Sequence, residues 1–170
     1  GGTITFESKK GVGTTFVIRV PFKIDLDADK REESKDVSEK SIKGMHVLLA
    51  EDNELNMEIA EFLLQNEGAE VTKAWNGQEI VELFRKSEAG EFDVILMDIM
   101  MPIINGYEAA KRIRSLDRED AKKIPIIAMT ANAFTEDRIR AKEAGMDEHV
   151  AKPIDVELLI KVIHKLVKHN

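Results

Sequence analysis

Phe92-Asp93-Val94-Ile95-Leu96-Met97-Asp98-Ile99-Met100-Met101-Pro102 is the stretch that decides how this chain folds. Val94 to Met97 is a continuous apolar run, short and partly β-branched, as expected of a strand buried on both faces. It runs straight into Asp98, with Pro102 and the Asn105-Gly106 pair close behind. Pro and Asn-Gly are loop chemistry, which places Asp98 where a buried strand ends and a loop begins. In an open parallel sheet, ligands bind just beyond the carboxyl ends of the strands. A lone acid there is usually a solvated residue or a helix cap. What matters is whether other polar groups converge on it.

Three more apolar runs end in the same way. Val47-Leu48-Leu49-Ala50 ends in Glu51-Asp52, Ile126-Ile127-Ala128-Met129 in Thr130, and His149-Val150-Ala151 in Lys152-Pro153. If these strands are parallel, three acids, a hydroxyl and an ammonium gather at one edge. Four such endings with complementary chemistry predict a site.

Between the strands the pattern turns helical. From Gly44 onward, strands are predicted at about 45–50, 70–74, 94–97, 124–129 and 149–151. The first helix is expected from Asn53 to Asn66, with Ile59, Phe62 and Leu63 inward and Gly68 closing it. Asn76 caps a second, with Glu79 completing a box-like pair and Ile80, Val81, Leu83 and Phe84 buried. A third spans about 106–115 with Ala109, Ala110 and Ile113 inward. Thr135-Glu136-Asp137 opens a fourth, running to about Ala144, with little apolar face beyond Ile139. Asp155 caps the last, whose stripe is Leu158, Leu159, Val162, Ile163 and Leu166. Five strands alternating with five helices predict an α/β, doubly wound five-stranded parallel sheet, flavodoxin-like with strand order 2-1-3-4-5. A switch point between the first and third strands sets Asp52 beside Asp98.

Ahead of this unit, residues 1–22 read as a β-hairpin appendage. Ile4 and Phe6 alternate in one strand, Phe16, Ile18 and Val20 in the other, and Ser8 to Gly13 supply the turn. An isolated hairpin is marginal in water, so it is either a frayed appendage or the finishing edge of a larger sheet. Residues 23–43 read as a charged flexible linker: Asp25 to Lys43 holds twelve charged residues in nineteen, too polar to offset its ordering entropy by burial.

Composition narrows the class. The chain has 170 residues, 43% hydrophobic and 34% charged, with a formal net charge of −7 and a pI near 5.2. That argues against direct nucleic-acid binding. The absence of cysteine closes disulfide and thiol chemistry and agrees with a cytoplasmic setting. No apolar run reaches transmembrane length and no signal peptide opens the chain, so no membrane contact is expected of it, whether or not a parent protein is anchored.

Three carboxylates crowded at one edge repel one another, and a hard divalent cation relieves that. Few protein oxygens, with water and a phosphate completing the sphere, suit Mg2+ better than a caging Ca2+ site. A carboxylate can also attack phosphorus, and Lys152, Mg2+ and the Thr130 hydroxyl would balance the charge of the transferring group.

Residues about 44–170 resemble the receiver domain of two-component response regulators, on Glu51-Asp52, Asp98-x-x-Met101-Pro102, Gly106, Thr130 and Lys152-Pro153. The resemblance implies that Asp98 is the phosphoacceptor for a kinase phosphohistidine. It also implies Mg2+ on Asp52, Asp98 and the Met100 backbone carbonyl, with Glu51 acting through water and a cis peptide at Pro153. The family's switch pairs a threonine with an aromatic three residues before the lysine. Thr130 fills the first role, but His149 stands at the second position, either a rotating switch or a half-buried histidine at a strand start.

The hairpin, through Gly1-Gly2-Thr3-Ile4, Ser8, Gly11, Gly13-Thr14-Thr15-Phe16 and Pro21-Phe22, resembles the end of a sensor histidine kinase ATP-binding domain. The whole then implies a hybrid kinase whose receiver passes phosphoryl to a histidine-phosphotransfer domain. This chain lacks the ATP site and the donor histidine, so its own chemistry is limited to self-phosphorylation and slow self-dephosphorylation. No output domain follows Asn170, so output is expected to pass elsewhere. Met100 and Asn132 flank the path of an attacking water. Two other readings compete. An unphosphorylated interaction module would fail to bind Mg2+. A phosphatase with an aspartate nucleophile needs a second acid two residues on, where Met100 stands.

Among the remaining candidates, Met97, Met100 and Met101 read as packing rather than a metal site, and Trp75 and Tyr107 as packing rather than a nucleotide platform. His46, His164 and His169 show no metal spacing.

Overall fold

The computed structural model describes residues 2–21, 41–131 and 135–167, the side chains of 135 and 136 excepted. Most of the linker, with Asn132 and His169, lies outside the described residues. The chain forms two units, one containing the hairpin and the other the α/β unit.

In the first unit, β1 (Thr3–Lys9) pairs antiparallel with β2 (Gly13–Arg19). Ile4 faces Ile18 and Phe6 faces Phe16 across the ladder, the two rings 5.9 Å apart. These four apolar side chains share one face by strand alternation and are all exposed.

The second unit contains β3 (His46–Ala50), α1 (Glu54–Asn66), β4 (Glu70–Ala74), α2 (Gly77–Lys86) and β5 (Val94–Asp98). These are followed by α3 (Gly106–Arg114), α4 (Glu119–Lys123), β6 (Ile126–Thr130), α5 (Thr135–Glu143), β7 (Glu148–Ala151) and α6 (Val156–Val167). All five strands are parallel, in the order β4-β3-β5-β6-β7. This is the expected doubly wound sheet, with its switch point between β3 and β5. The α4 turn was not foreseen: it has five residues and buries one side chain, Ala121.

Strand alternation sorts the core into two layers. Leu48, Ile95, Met97, Ile126 and Ala128 pack with α2, α3, α4 and α5. Val47, Leu49, Leu96, Ile127 and Met129 pack with α1 and α6 on the opposite face. Ile42, counted with the linker on sequence grounds, is fully buried in that second layer. Every residue of β5 is buried, Asp98 included.

Asn76 and Asp155 cap their helices as expected, and Asn53 and Asn105 do the same, each side chain accepting a backbone N–H of the first turn. The face of α1 does not. Met57, Ala60 and Leu64 are buried, whereas Ile59 and Phe62 are exposed and Leu63 is half-buried. The helix carries two apolar stripes, and the one bearing small Ala60 lies against the sheet. Leu158 of α6 and Ile139 of α5 are likewise exposed, while Leu159, Ile160, Ala141 and Ala144 face inward.

Candidate functional site

The site lies at the carboxyl edge of the sheet, where β3 and β5 diverge. β3 delivers Glu51 and Asp52, and β5 delivers Asp98. Carboxylate oxygens of these three residues lie within 4.8 Å of one another, with Glu51 and Asp98 buried and Asp52 exposed. Lys152, which follows β7, reaches back to both buried acids. Its Nζ is 2.9 Å from Asp98 Oδ2 and donates a hydrogen bond to Glu51 Oε2. Asn56 Nδ2 donates to the other oxygen of Glu51 at 3.0 Å, and the Met100 amide donates to Asp98 Oδ1 at 3.2 Å.

This arrangement is unbalanced. Burial pushes the Asp98 carboxyl above the usual aspartate range and the charge of Glu51 adds to that, while Lys152 and the Met100 amide oppose it. For Lys152, burial works against the charge, yet bonds to Glu51 and Asp98 hold the ammonium above its ordinary value. Lys152 therefore bonds two of the three clustered carboxylates, and the third, Asp52, adds a further negative charge. A cluster of hard oxygen donors with surplus negative charge fits a small divalent cation.

The loop after β5 is shaped around Asp98. Gly106 donates to the Ile99 carbonyl at 3.0 Å, and a Cβ on Gly106 would stand 2.2 Å from the Asp98 carbonyl oxygen. Only glycine permits that approach. Ile103, β-branched, adopts φ 71°, a left-handed strain of about 1–2 kcal/mol held in the same loop. Met101 is buried beneath the loop, and Met100 and Ile103 are exposed on it.

Thr130 ends β6, half-buried, one residue beyond Met129, the register partner of Asp98. Its carbonyl accepts the Lys152 amide at 2.8 Å, and the Lys152–Pro153 peptide is cis. His149 lies in β7 with its side chain 20% exposed and Nδ1 3.3 Å from Glu148 Oε1. Thus Glu51, Asp52, Asp98 and Lys152 converge, while His149 lies on β7, separated from Asp98 on β5 by strand β6.

Asn56 was missed in the sequence, where an asparagine in a first helical turn carries no site signal. Trp75 is partly exposed and Tyr107 half-buried, and His46 pairs with Glu70 at 2.9 Å.

A doubly wound sheet with an acidic pocket at its switch point and a lysine reaching back to the acids defines the receiver class. The chain belongs to the response regulator receiver domain family, whose model matches residues 47–164. The aerobic respiration control sensor protein ArcB of Escherichia coli is 32% identical over 166 residues, 97% of this chain and 20% of that protein. The hybrid signal transduction histidine kinase I of Dictyostelium discoideum is 40% identical over 120 residues, 69% of this chain and 7% of that protein. The chain thus spans a fifth or less of the length of either relative.

Among solved structures, the receiver domain of a Pseudomonas aeruginosa sensor histidine kinase matches with a TM-score of 0.66 and 34% identity, over 74% of this chain and 98% of that one. It was crystallised with magnesium coordinated in its active-site cleft. The receiver domain of Ssk1 from Saccharomyces cerevisiae was solved with the histidine phosphotransfer protein Ypd1. That structure matches with a TM-score of 0.65 and 29% identity, over 74% of this chain and 90% of that one. Among the described residues no helix is long and apolar enough to cross a membrane.

Proposed function

We propose that the chain is a phosphoacceptor module in a two-component phosphorelay, with Asp98 taking a phosphoryl group from a phosphohistidine. The carrying observation is the single ammonium of Lys152 shared between Asp98 and Glu51 in an over-acidic pocket. An Asp98 carboxylate oxygen attacks phosphorus, the phosphorus–nitrogen bond to the donor imidazole breaks, and the electron pair leaves with that nitrogen. Lys152 can then turn from the acids to the phosphoryl oxygens, and the Thr130 hydroxyl can donate to one of them.

Mg2+ fits the donor set, with Asp52, Asp98 and the Met100 carbonyl as ligands and Glu51 acting through water. When bound it would neutralise charge on the transferring group. His149 is the candidate second switch residue.

Partner docking is assigned to the exposed stripe of α1, where Leu55, Ile59 and Phe62 are 64%, 48% and 68% exposed. Spaced i, i+4 and i+7, they offer an apolar seat for a helix beside the acceptor. A helical histidine-phosphotransfer domain fits that seat, and the yeast complex supports this kind of partner. The domain assignment proposed is residues 1–22 as the remnant edge of a kinase ATP-binding domain, 23–43 as linker and 44–170 as receiver. The match to ArcB over 97% of the chain supports an origin in a hybrid kinase, and a cytoplasmic setting is proposed with it.

Intact-mass spectrometry after incubation with acetyl phosphate, with and without Mg2+, tests the reading. A Mg2+-dependent, phosphoryl-sized gain in the wild type that is absent from Asp98→Ala is expected. No gain and no Mg2+ binding in folded protein would leave the unphosphorylated interaction module.

A further inference from the structure

Between Thr130 and His149 lies a small cavity of about 10 Å3, room for roughly one water molecule. Besides those two residues it is lined by the apolar Ile99, Ala128 and Ala141, by Asp137 and Arg138 of α5, and by Tyr107 from α3. Tyr107 is the single tyrosine of the chain and is half-buried, with its hydroxyl 3.5 Å from Asp137 Oδ1 on α5. Burial, and then the nearby Asp137 charge, push the phenol above its ordinary value, so it stays protonated as a donor toward α5. Tyr107 therefore lines one cavity with Thr130 at the end of β6 and with His149, and its hydroxyl reaches the helix beyond them.

We propose that Tyr107 is the positioning residue through which loading of Asp98 reaches α5. The inference rests on the phosphoacceptor reading. Drawing Thr130 toward a phosphoryl group on Asp98 enlarges the cavity, and a void lined by Ile99, Ala128 and Ala141 forfeits their packing contacts. The His149 imidazole is smaller than a phenyl ring, has polar edges, and is held at its Nδ1 side by Glu148, itself bound to Lys165. It is poorly suited to filling an apolar gap. Tyr107 already lines the cavity, and its ring carries the apolar surface to do so. Moving inward draws its hydroxyl away from Asp137 and loosens α5, a helix in which Ala141 alone is buried among the described side chains. Tyr107 is not one of the clustered site acids or their lysine, so its role is positioning, exerted through Thr130.

The single tyrosine makes the test direct. Protein carrying 3-fluorotyrosine gives one 19F resonance, which is followed while acetyl phosphate and Mg2+ load Asp98 and intact mass reports the loaded fraction. A second resonance is expected whose intensity tracks that fraction. It should vanish in Thr130→Ala at equal loading, and in His149→Phe, where the added ring fills the gap. Hydrogen exchange gives a second readout: loading should speed exchange of α5 amides in the wild type. In Tyr107→Phe that exchange should be fast before loading and unchanged by it. Full loading by mass with an unmoved resonance, or a shift that persists in Thr130→Ala, would overturn the role of Tyr107 and leave Asp98 as acceptor. Absence of any mass gain would overturn both.

Discussion

Two ion clusters of this domain join carboxylates to a cation, and they treat their acids in opposite ways. Arg118 chelates Asp120, with Nε and one terminal nitrogen 2.7 and 2.6 Å from the two carboxylate oxygens. Its remaining donors reach the carbonyls of Phe84, Ser87 and Glu88, and its guanidinium lies 4.6 Å over the Phe84 ring. The charges balance and the donors are satisfied. The Asp120 carboxyl is accordingly lowered to about 2, chiefly by its bond to Arg118. At the carboxyl edge, Lys152 faces Glu51 and Asp98 together with Asp52 nearby, and the Asp98 carboxyl is raised. The first cluster is complete and ties the end of α2 to α4. The second lacks positive charge, which marks it as a place where something cationic arrives.

The largest effect belongs to the complete cluster. Arg118→Ala strands three backbone carbonyls and a carboxylate, and should cost about 3 kcal/mol, read as a lowered urea midpoint. Asp120→Asn keeps an acceptor for the Gly90 amide but removes the charge, and should cost about 1–2 kcal/mol at pH 7. A depressed carboxyl contributes stability above its unfolded value, near 4, and loses it as pH falls through about 2. The gap between wild type and Asp120→Asn should therefore be constant at neutral pH and close between about pH 4 and pH 2. A gap that persisted at pH 2 would show that the pair acts through geometry rather than charge.

Much of this was readable in the chain, for a physical reason. Strands buried on both faces are continuous apolar runs, so the polar residue ending each run stands out, and parallel topology gathers Glu51, Asp98, Thr130 and Lys152 at one edge. The inward face of α1 was not readable. Leu55-Ile59-Phe62 and Met57-Ala60-Leu64 both repeat at helical spacing, and the small Ala60 in contact with the sheet separates them only once the packing is known. The Arg118 clamp was equally hidden, because a guanidinium bound to backbone carbonyls leaves no pattern in residue types. Likewise the α4 turn is too short to show a period. Tyr107 looked like packing because its relation to Thr130 and His149 spans three elements.

The smallest expected effect bears most directly on what separates the two clusters. Asp98→Asn removes one negative charge from the over-acidic site, where Asp120→Asn removes one from a balanced pair. The raised Asp98 carboxyl means that the folded state binds this proton more tightly than the unfolded chain does. Its contribution is therefore fully present below the unfolded value, near 4, and is lost as pH rises through the folded value. Without Mg2+ at pH 7, Asp98→Asn should thus be somewhat more stable than the wild type. The gain should shrink toward zero as pH drops below about 4. Mg2+ should reverse the order, because a ligand bound only by the native state stabilises it in proportion to the logarithm of its concentration, and the asparagine variant has lost a carboxylate ligand. Thermal melts of both proteins at pH 7 across a Mg2+ titration should cross. Curves that never cross, with Asp98→Asn the weaker throughout, would make this cluster a second structural ion pair of the Arg118 kind.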